Sequence, residues 1–273
     1  PMVGFSMANK NADRFLGFAD VYENARPRVP AYPAKVLCRY LGRRPQTVVD
    51  LGCGTGLSTE IWPDYADTVI GVEPSEDMFA VAAQKTTDVM TFRHGTGEAT
   101  GLPDECADIV ICSQSFHWME PVATLREVDR ILKSDGVFAT EDCDWPAVTK
   151  WQAEKAYMDL YTKVKQIESA VPEIRASFTH YDKKRHLQNI QNCGAFVYTR
   201  ELLFASEEIC TKQRFKDIIM SQGSLQAILK RRPELIEEDV AAFSAAIDKI
   251  YDDQPFSIEF CYRMRVGIKS PTA

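Results

Sequence analysis

The chain has 273 residues, 45% hydrophobic and 26% charged, with a formal net charge of −7. That length suits one large α/β domain, or one domain with a sizeable insertion. The acidic balance argues against general affinity for phosphate backbones or anionic membranes, and no run of about 18 apolar residues is present to span a bilayer.

The first residues lack the basic, apolar and small-residue order of a signal peptide, and Pro1–Ser6 reads as a remnant ahead of Met7. Tyr32–Leu41 has apolar residues at 36, 37, 40 and 41 with Gly42 as a stop, which predicts a helix. Thr47–Leu51 reads as the first buried strand, Leu57–Trp62 as a short helix ended by Pro63, and Thr68–Glu73 as the second strand. Pro74-Ser75-Glu76-Asp77 then caps a helix reaching Lys85, with acidic residues at its positive end. Val89–Arg93 is a third, weaker strand, and Ala107–Cys112 is a central one. Pro121 opens an amphipathic helix with Val122, Leu125, Val128, Ile131 and Leu132 on one face. Ser134-Asp135-Gly136 ends it, and Val137–Glu141 is the fifth strand. Strands and helices alternate this far with short connections, which predicts a mostly parallel sheet.

The character changes after Asp144. Residues 147–192 read as two charged helices interrupted near Pro172, and Val197–Ala205 reads as a strand. Ser206–Lys230 and Glu234–Tyr251 read as helices separated by Pro233, with Ser206 as N-cap ahead of Glu207 and Glu208. Ser257–Gly267 closes the chain's pattern as a seventh strand. The eight cysteines (38, 53, 106, 112, 143, 193, 210 and 261) form no C-x-x-C pair, and the four histidines do not cluster with them. The expectation is a reducing cytoplasm, no disulfide framework and no metal site.

The chemistry concentrates in Val48-Val49-Asp50-Leu51-Gly52-Cys53-Gly54-Thr55-Gly56, answered by Val69-Ile70-Gly71-Val72-Glu73. An apolar strand feeding a glycine-rich turn places a nucleotide ligand at the carboxyl ends of the strands. A dinucleotide fingerprint would want a further glycine at position 57, which is Leu57. Asp50 would repel phosphates and attract a ligand ammonium group. Glu73 is placed to accept hydrogen bonds from both ribose hydroxyls. A ligand with ribose, ammonium and sulfonium fits these groups better than a nicotinamide dinucleotide does. A turn that uses glycines only for positive φ would explain any one of them, but not the whole pattern.

With these motifs the chain resembles the class I S-adenosylmethionine-dependent methyltransferases, in the small-molecule group that includes trans-aconitate methyltransferase. The resemblance runs from about Phe18 to Asp144. Asp50–Gly56 is similar to the family's first motif, and Glu73 matches its ribose-binding carboxylate. Gly97-Glu98-Ala99, with Leu102-Pro103 and Ala107-Asp108, resembles the segment that holds the adenine, although Glu98 stands for the commoner Asp and Ala107 for an aromatic. Ser113-Gln114-Ser115-Phe116-His117-Trp118 resembles the group's motif after the fourth strand. The resemblance implies a Rossmann-like, doubly wound, seven-stranded α/β sheet, mostly parallel with an antiparallel C-terminal strand, plus an inserted helical lid. It implies a single domain with its core at 33–144, 194–205 and 256–269, and covering elements at 10–32, 147–192 and 206–251. The cofactor expected is S-adenosyl-L-methionine, held by Tyr22, Arg26, Asp50, Gly52, Cys53, Gly54, Gly56, Glu73, Pro74, Met78, Gly97, Glu98, Ala99, Ser113, His117 and Trp118.

Arg26, in Tyr22-Glu23-Asn24-Ala25-Arg26-Pro27, is a candidate partner for the methionyl carboxylate. His117 and Glu141 are the candidate catalytic residues, able to orient an acceptor or take its proton. Asp144 and Trp145 follow the same fifth strand, and Phe116 reads as core. His180, Tyr181 and His186, beside Lys183-Lys184-Arg185, read as a solvated basic face or as a local patch for an anionic substrate. Ser221-Gln222-Gly223-Ser224 interrupts a helix that belongs to the expected lid, and His94 reads as structural.

The donor is already activated, so a methyltransferase needs mainly alignment and a dry site. The reading is therefore in-line methyl transfer to a small molecule, at oxygen rather than nitrogen or carbon, by a cytoplasmic monomer or homodimer with no nucleic-acid or membrane partner. Alternatives are an RNA or protein methyltransferase, a non-catalytic methyltransferase-like binding protein, and a nicotinamide oxidoreductase. Asp50 and Leu57 count against the last.

Overall fold

The computed structural model describes residues 19–271. Helices α1 (Ala19–Ala25) and α2 (Tyr32–Leu41) precede strand β1 (Thr47–Leu51). Then come β2 (Thr68–Glu73), α3 (Glu76–Ala83), β3 (Met90–His94), β4 (Ala107–Ser113), α4 (Pro121–Ile131) and β5 (Leu132–Val148). After them come α5 (Trp151–Ala170), α6 (His186–Asn192), β6 (Phe196–Cys210), α7 (Lys212–Met220), α8 (Gly223–Arg231), α9 (Glu237–Ile250) and β7 (Phe256–Lys269). The seven strands form one sheet in the order β3-β2-β1-β4-β5-β7-β6. Strands β1 to β5 pair in parallel, and the C-terminal strands run antiparallel. This is the doubly wound sheet that the sequence predicts. Among the described residues, no helix is long and apolar enough to cross a membrane.

The described residues divide into two compact units. A sheet unit holds Arg28–Cys143, His180–Phe204 and residues 262–271, and a helical unit holds residues 19–27, Asp144–Thr179 and Ala205–Cys261. Of the segments expected to cover the site, 147–179 and 206–251 fall in the helical unit, whereas 180–192 falls in the sheet unit. Residues 10–18 and the Pro1–Ser6 segment lie outside the described residues.

Both faces of the central strands are buried, which is why they read as unbroken apolar runs. On one face Val49, Leu51, Val110 and Phe138 pack with Leu125, Val128 and Ile131 of α4. On the other, Val48, Ile109, Ile111 and Val137 pack with Ala34 and Leu37 of α2. In the helical unit, Tyr157 of α5, Phe215 of α7 and Phe243 of α9 form an aromatic chain with ring centroids 6.5 and 6.3 Å apart.

Several local expectations need correction. The turn after the glycine loop is a 3-10 segment, Thr59–Asp64, with Pro63 inside it rather than beyond it. Strand β5 starts at Leu132, not Val137, and Asp135 takes φ +61° where the β4–β5 register shifts between Leu132 and Val137. Strand β6 runs on to Cys210, so Ser206 lies in a strand and does not cap a helix. Thr211 is the cap, its hydroxyl accepting from the Arg214 amide at 3.2 Å. The alternating exposure from Leu203 to Ile209 is the period of a strand, which the charges of Glu207 and Glu208 disguise. Asp108 is not at the ligand end. It sits at the start of β4, where its carboxylate accepts from Arg43 at 2.7 Å and from the Gln46 and Thr47 amides at 2.8 Å.

Candidate functional site

The carboxyl end of β1 turns through Gly52, Gly54 and Gly56 at φ +66°, +59° and +91°. The Gly52 amide donates to the Val72 carbonyl at 2.8 Å, which ties this turn to β2. Glu73, 6% exposed, clasps the same turn. Its Oε2 accepts from the Gly54 amide and its Oε1 from the Ser75 amide, both at 2.8 Å. Asp50 is fully buried, and its Oδ2 accepts from Ser58 Oγ at 2.5 Å and Thr59 Oγ1 at 2.8 Å. Its Oδ1 is sealed and has no hydrogen-bond partner among the described residues. Burial pushes the Asp50 carboxyl up to about 6, against the pull of those two hydroxyls. Burial, with Asp50 and Glu73 nearby, also raises the Cys53 thiol, so it is no nucleophile.

Two residues brace the turn from β4. Ser115 Oγ donates to the Leu51 carbonyl at 2.7 Å. A Cβ on Gly52 would meet Ser115 Cβ at 2.7 Å and Met119 Cε at 2.8 Å. Met119 also packs on Gly97, where a Cβ would lie 2.5 Å from its sulfur. The turn of β1 and the Gly97-Glu98-Ala99 segment after β3 are thus brought together through one thioether. Glu98 Oε1 accepts from the Glu120 amide at 3.2 Å. Behind this segment, Thr100 donates its amide and hydroxyl to Glu127 Oε1 at 3.0 and 2.6 Å. Arg130 holds the Glu127 carboxyl down to about 2 and also reaches Asp104 at 2.5 Å. Met78 of α3 is core, 2% exposed, and Pro74 is half-buried beside Glu73.

At the carboxyl end of β4, Ser113 pairs with Glu141 of β5, and Ser113 Oγ lies 3.5 Å from Glu141 Oε2. Glu141 is 1% exposed. Burial first, then Asp142 and Asp50, pushes it up to about 8, so it is mostly protonated at neutral pH. Phe116 is core, as expected. The His117 ring lies 4.5 Å from the Trp118 ring, and Trp118 lies edge-on to His180 at 5.9 Å. The Tyr181 amide donates to the His117 carbonyl at 2.7 Å. His186 is not on a solvated basic face. It is fully buried, with its ring 4.8 Å from Phe116. His94 is exposed and stacks edge-on to Phe79.

Tyr22 and Arg26 belong to the helical unit. There the Arg26 guanidinium lies 5.2 Å from the centroids of both Tyr22 and Trp145, and its carbonyl accepts from Arg214 at 3.0 Å. Ser221 ends α7 in the same unit, donating to the Ile218 carbonyl at 2.6 Å. Ser115 stood inside a quoted motif and Lys183 inside the quoted basic run, yet Met119 and Asp142 carry no spacing signal that would have singled them out. An open groove of about 510 Å³ beside Arg43, Arg44 and Tyr65 lies at the amino ends of β1 and β2, away from the glycine turn.

A family model described as a methyltransferase domain matches residues 49–140. A Saccharomyces cerevisiae protein called "Probable S-adenosylmethionine-dependent methyltransferase CRG1" is 30% identical over 163 residues, 54% of this chain and 56% of its own length. "Uncharacterized methyltransferase YcgJ" of Bacillus subtilis is 33% identical over 105 residues, 37% of this chain and 42% of its own. The chain spans about half the length of the curated relatives it matches. The solved structure of YcgJ aligns with TM-score 0.55 at 18% identity, over 89% of this chain and all of that one (100%). A solved protein from Anaeromyxobacter dehalogenans aligns with TM-score 0.63 at 20% identity, over 90% of this chain and 99% of its own. These likenesses show the shared fold.

Proposed function

We propose that this chain, which matches a methyltransferase-domain family model over residues 49–140, is a class I S-adenosylmethionine-dependent methyltransferase that moves a methyl group to a small-molecule acceptor, at oxygen in preference to nitrogen or carbon. The observation that carries the reading is Glu73, a buried carboxylate clasping a three-glycine turn. S-adenosyl-L-methionine supplies a methyl already activated on a sulfonium, so no residue has to activate the donor.

The residues suit that donor. A carboxylate can accept more hydrogen bonds than the two amides supply, so Glu73 can serve ribose hydroxyls while it holds the turn. The sealed, unpartnered Oδ1 of Asp50 matches a ligand ammonium group. A pyrophosphate would face the same carboxylate at a cost, which disfavours a dinucleotide. Gly97-Glu98-Ala99 suits the adenine. Arg26, flanked by two rings, suits a carboxylate. Ser113, His117 and Trp118 suit the reacting end, where alignment and exclusion of water matter most. The net charge of −7 favours a small acceptor over RNA.

Calorimetry with S-adenosylmethionine and its demethylated product tests the donor. Binding of both, without binding of NAD, is expected. Failure to bind either would remove the reading. A screen for transfer of labelled methyl from the donor to metabolite fractions, with RNA and protein as parallel acceptors, then tests the acceptor class.

A further inference from the structure

One buried carboxylate gathers four basic side chains from three separate stretches of sequence. Asp142 of β5 is 1% exposed. Its Oδ1 lies 3.3 Å from Lys183 Nζ and 3.5 Å from His117 Nδ1. Its Oδ2 lies 3.1 Å from an Arg265 guanidinium nitrogen and 3.8 Å from His186 Nε2. Arg265 is itself held by Glu201, 3.0 Å away. All these groups belong to the sheet unit. Burial alone would raise the Asp142 carboxyl, but Lys183 first, with His117 and His186 beside it, holds it well below the usual carboxylate range.

His117 Nδ1 is sealed from solvent and makes no hydrogen bond among the described residues, where it faces Asp142 Oδ1 at 3.5 Å. The ring as a whole keeps 13% of its exposure, so that exposure falls on its other atoms. Burial first, and then the charge of Lys183, hold His117 down at about 3 against the pull of Asp142, with His186 adding a smaller push. It is therefore neutral at working pH and carries a single N–H. With that hydrogen on Nε2, the Nδ1 lone pair would face carboxylate lone pairs in a low-dielectric site. With it on Nδ1, a donor faces the anion. The main chain is fixed as well, since the Tyr181 amide holds the His117 carbonyl at 2.7 Å.

We propose that Asp142, anchored by Lys183 and Arg265, is a positioning residue that fixes His117 as its neutral Nδ1–H tautomer, so that Nε2 receives a hydrogen bond from the methyl acceptor. This role for Nε2 rests on the methyl-transfer reading, whereas the tautomer does not. His117 then aligns the acceptor's O–H or N–H while the acceptor–methyl bond forms and the sulfonium–methyl bond breaks, and the proton that the methylated acceptor sheds passes to solvent rather than staying on His117. The two imidazoles and the carboxylate, with ligand atoms within 4.8 Å of one another, also match a metal donor set. A dication there would meet the fixed charges of Lys183 and Arg265, which disfavours that use.

Long-range proton–nitrogen spectra of the protein with 15N-labelled histidine test this directly. The expected result is the Nδ1–H tautomer for His117, without titration from pH 5 to 8. The Nε2–H tautomer, or a protonated ring at pH 7, would overturn the proposal. Asp142→Asn should abolish the tautomer preference and lower kcat by about tenfold to a hundredfold with little change in donor KM. Lys183→Met keeps the carboxylate and should preserve the tautomer while moving the ring's titration upward. An unchanged tautomer in a folded Asp142→Asn protein counts against the proposal. So does a kcat in His117→Gln equal to wild type. Loss of donor binding in the wild type would overturn the methyl-transfer reading and leave the tautomer result standing.

Discussion

The Gly54 amide donates to Glu73 Oε2 across 2.8 Å, so the turn after the first strand and the carboxylate after the second are one hydrogen-bonded unit. The Ser75 amide holds the other oxygen at the same distance, 2.8 Å. Glu73→Ala leaves both amides without this acceptor. The expected loss of stability is about 2–4 kcal/mol, since each bond to a charged group contributes about 1.5–3 kcal/mol before relaxation. Donor affinity should fall at least about tenfold through the lost ribose contacts. Denaturant unfolding and calorimetry on one preparation separate the two effects. Unchanged affinity in a folded Glu73→Ala protein would remove Glu73 from the cofactor site.

Asp50 predicts the pH dependence of donor binding. Burial raises its carboxyl to about 6 in the unliganded protein. A cationic ligand group favours the ionised form, so affinity should climb as pH rises through about 6 and level off above it. Asp50→Asn should flatten this climb. A wild-type profile already flat between pH 5 and 7 would separate the ammonium from Asp50.

Glu141 predicts a trend of stability with pH. Its folded value is raised from 4.5 to about 8, so the folded state binds the proton more tightly than the unfolded state. The contribution is complete below the unfolded value and is lost as pH rises through about 8. Glu141→Gln should flatten the decline and gain on the order of 2 kcal/mol at pH 8 over wild type. Thermal unfolding across pH 5 to 9 reads this. An equal decline in both proteins would assign the slope elsewhere.

The sheet and its glycine turn were legible because their signals are local. Thr47–Leu51 and Thr68–Glu73 are apolar runs closed by turn residues, and their observed bounds match the expected ones. The β6 boundary was not legible, because Glu207 and Glu208 in an exposed strand mimic the acidic first turn of a helix. Asp108 misled for a different reason. A family pattern marks which residue recurs near a strand, but not which end of the strand it serves, and here it ties Arg43 and the Gln46 and Thr47 amides. The Asp142 cluster was beyond sequence reading. Its basic members sit at positions 117, 183, 186 and 265, brought together by topology alone. Glu141 and Asp142 are adjacent, and strand alternation turns them to opposite faces, so weighing one gave no view of the other.

Met119 separates two glycines that look alike in sequence. At Gly97 an added Cβ meets Met119 Sδ at 2.5 Å and other atoms of the same flexible side chain at 3.3 Å. Gly97 has no positive φ, so alanine suits its backbone. Shortening Met119 should therefore relieve Gly97→Ala. At Gly52 the added Cβ meets Met119 Cε at 2.8 Å, but also Ser115 Cβ at 2.7 Å, and φ is +66°. Ser115 cannot withdraw without giving up its 2.7 Å bond to the Leu51 carbonyl. The left-handed backbone adds about 1–2 kcal/mol of strain for any residue with a Cβ. Met119→Ala should thus couple to Gly97→Ala with a favourable interaction energy of about 1 kcal/mol or more, and couple only weakly to Gly52→Ala. Urea unfolding of the two double-mutant cycles gives both numbers. Equal rescue of the two glycine variants would mean that Met119 alone limits both positions, and that the brace from Ser115 yields.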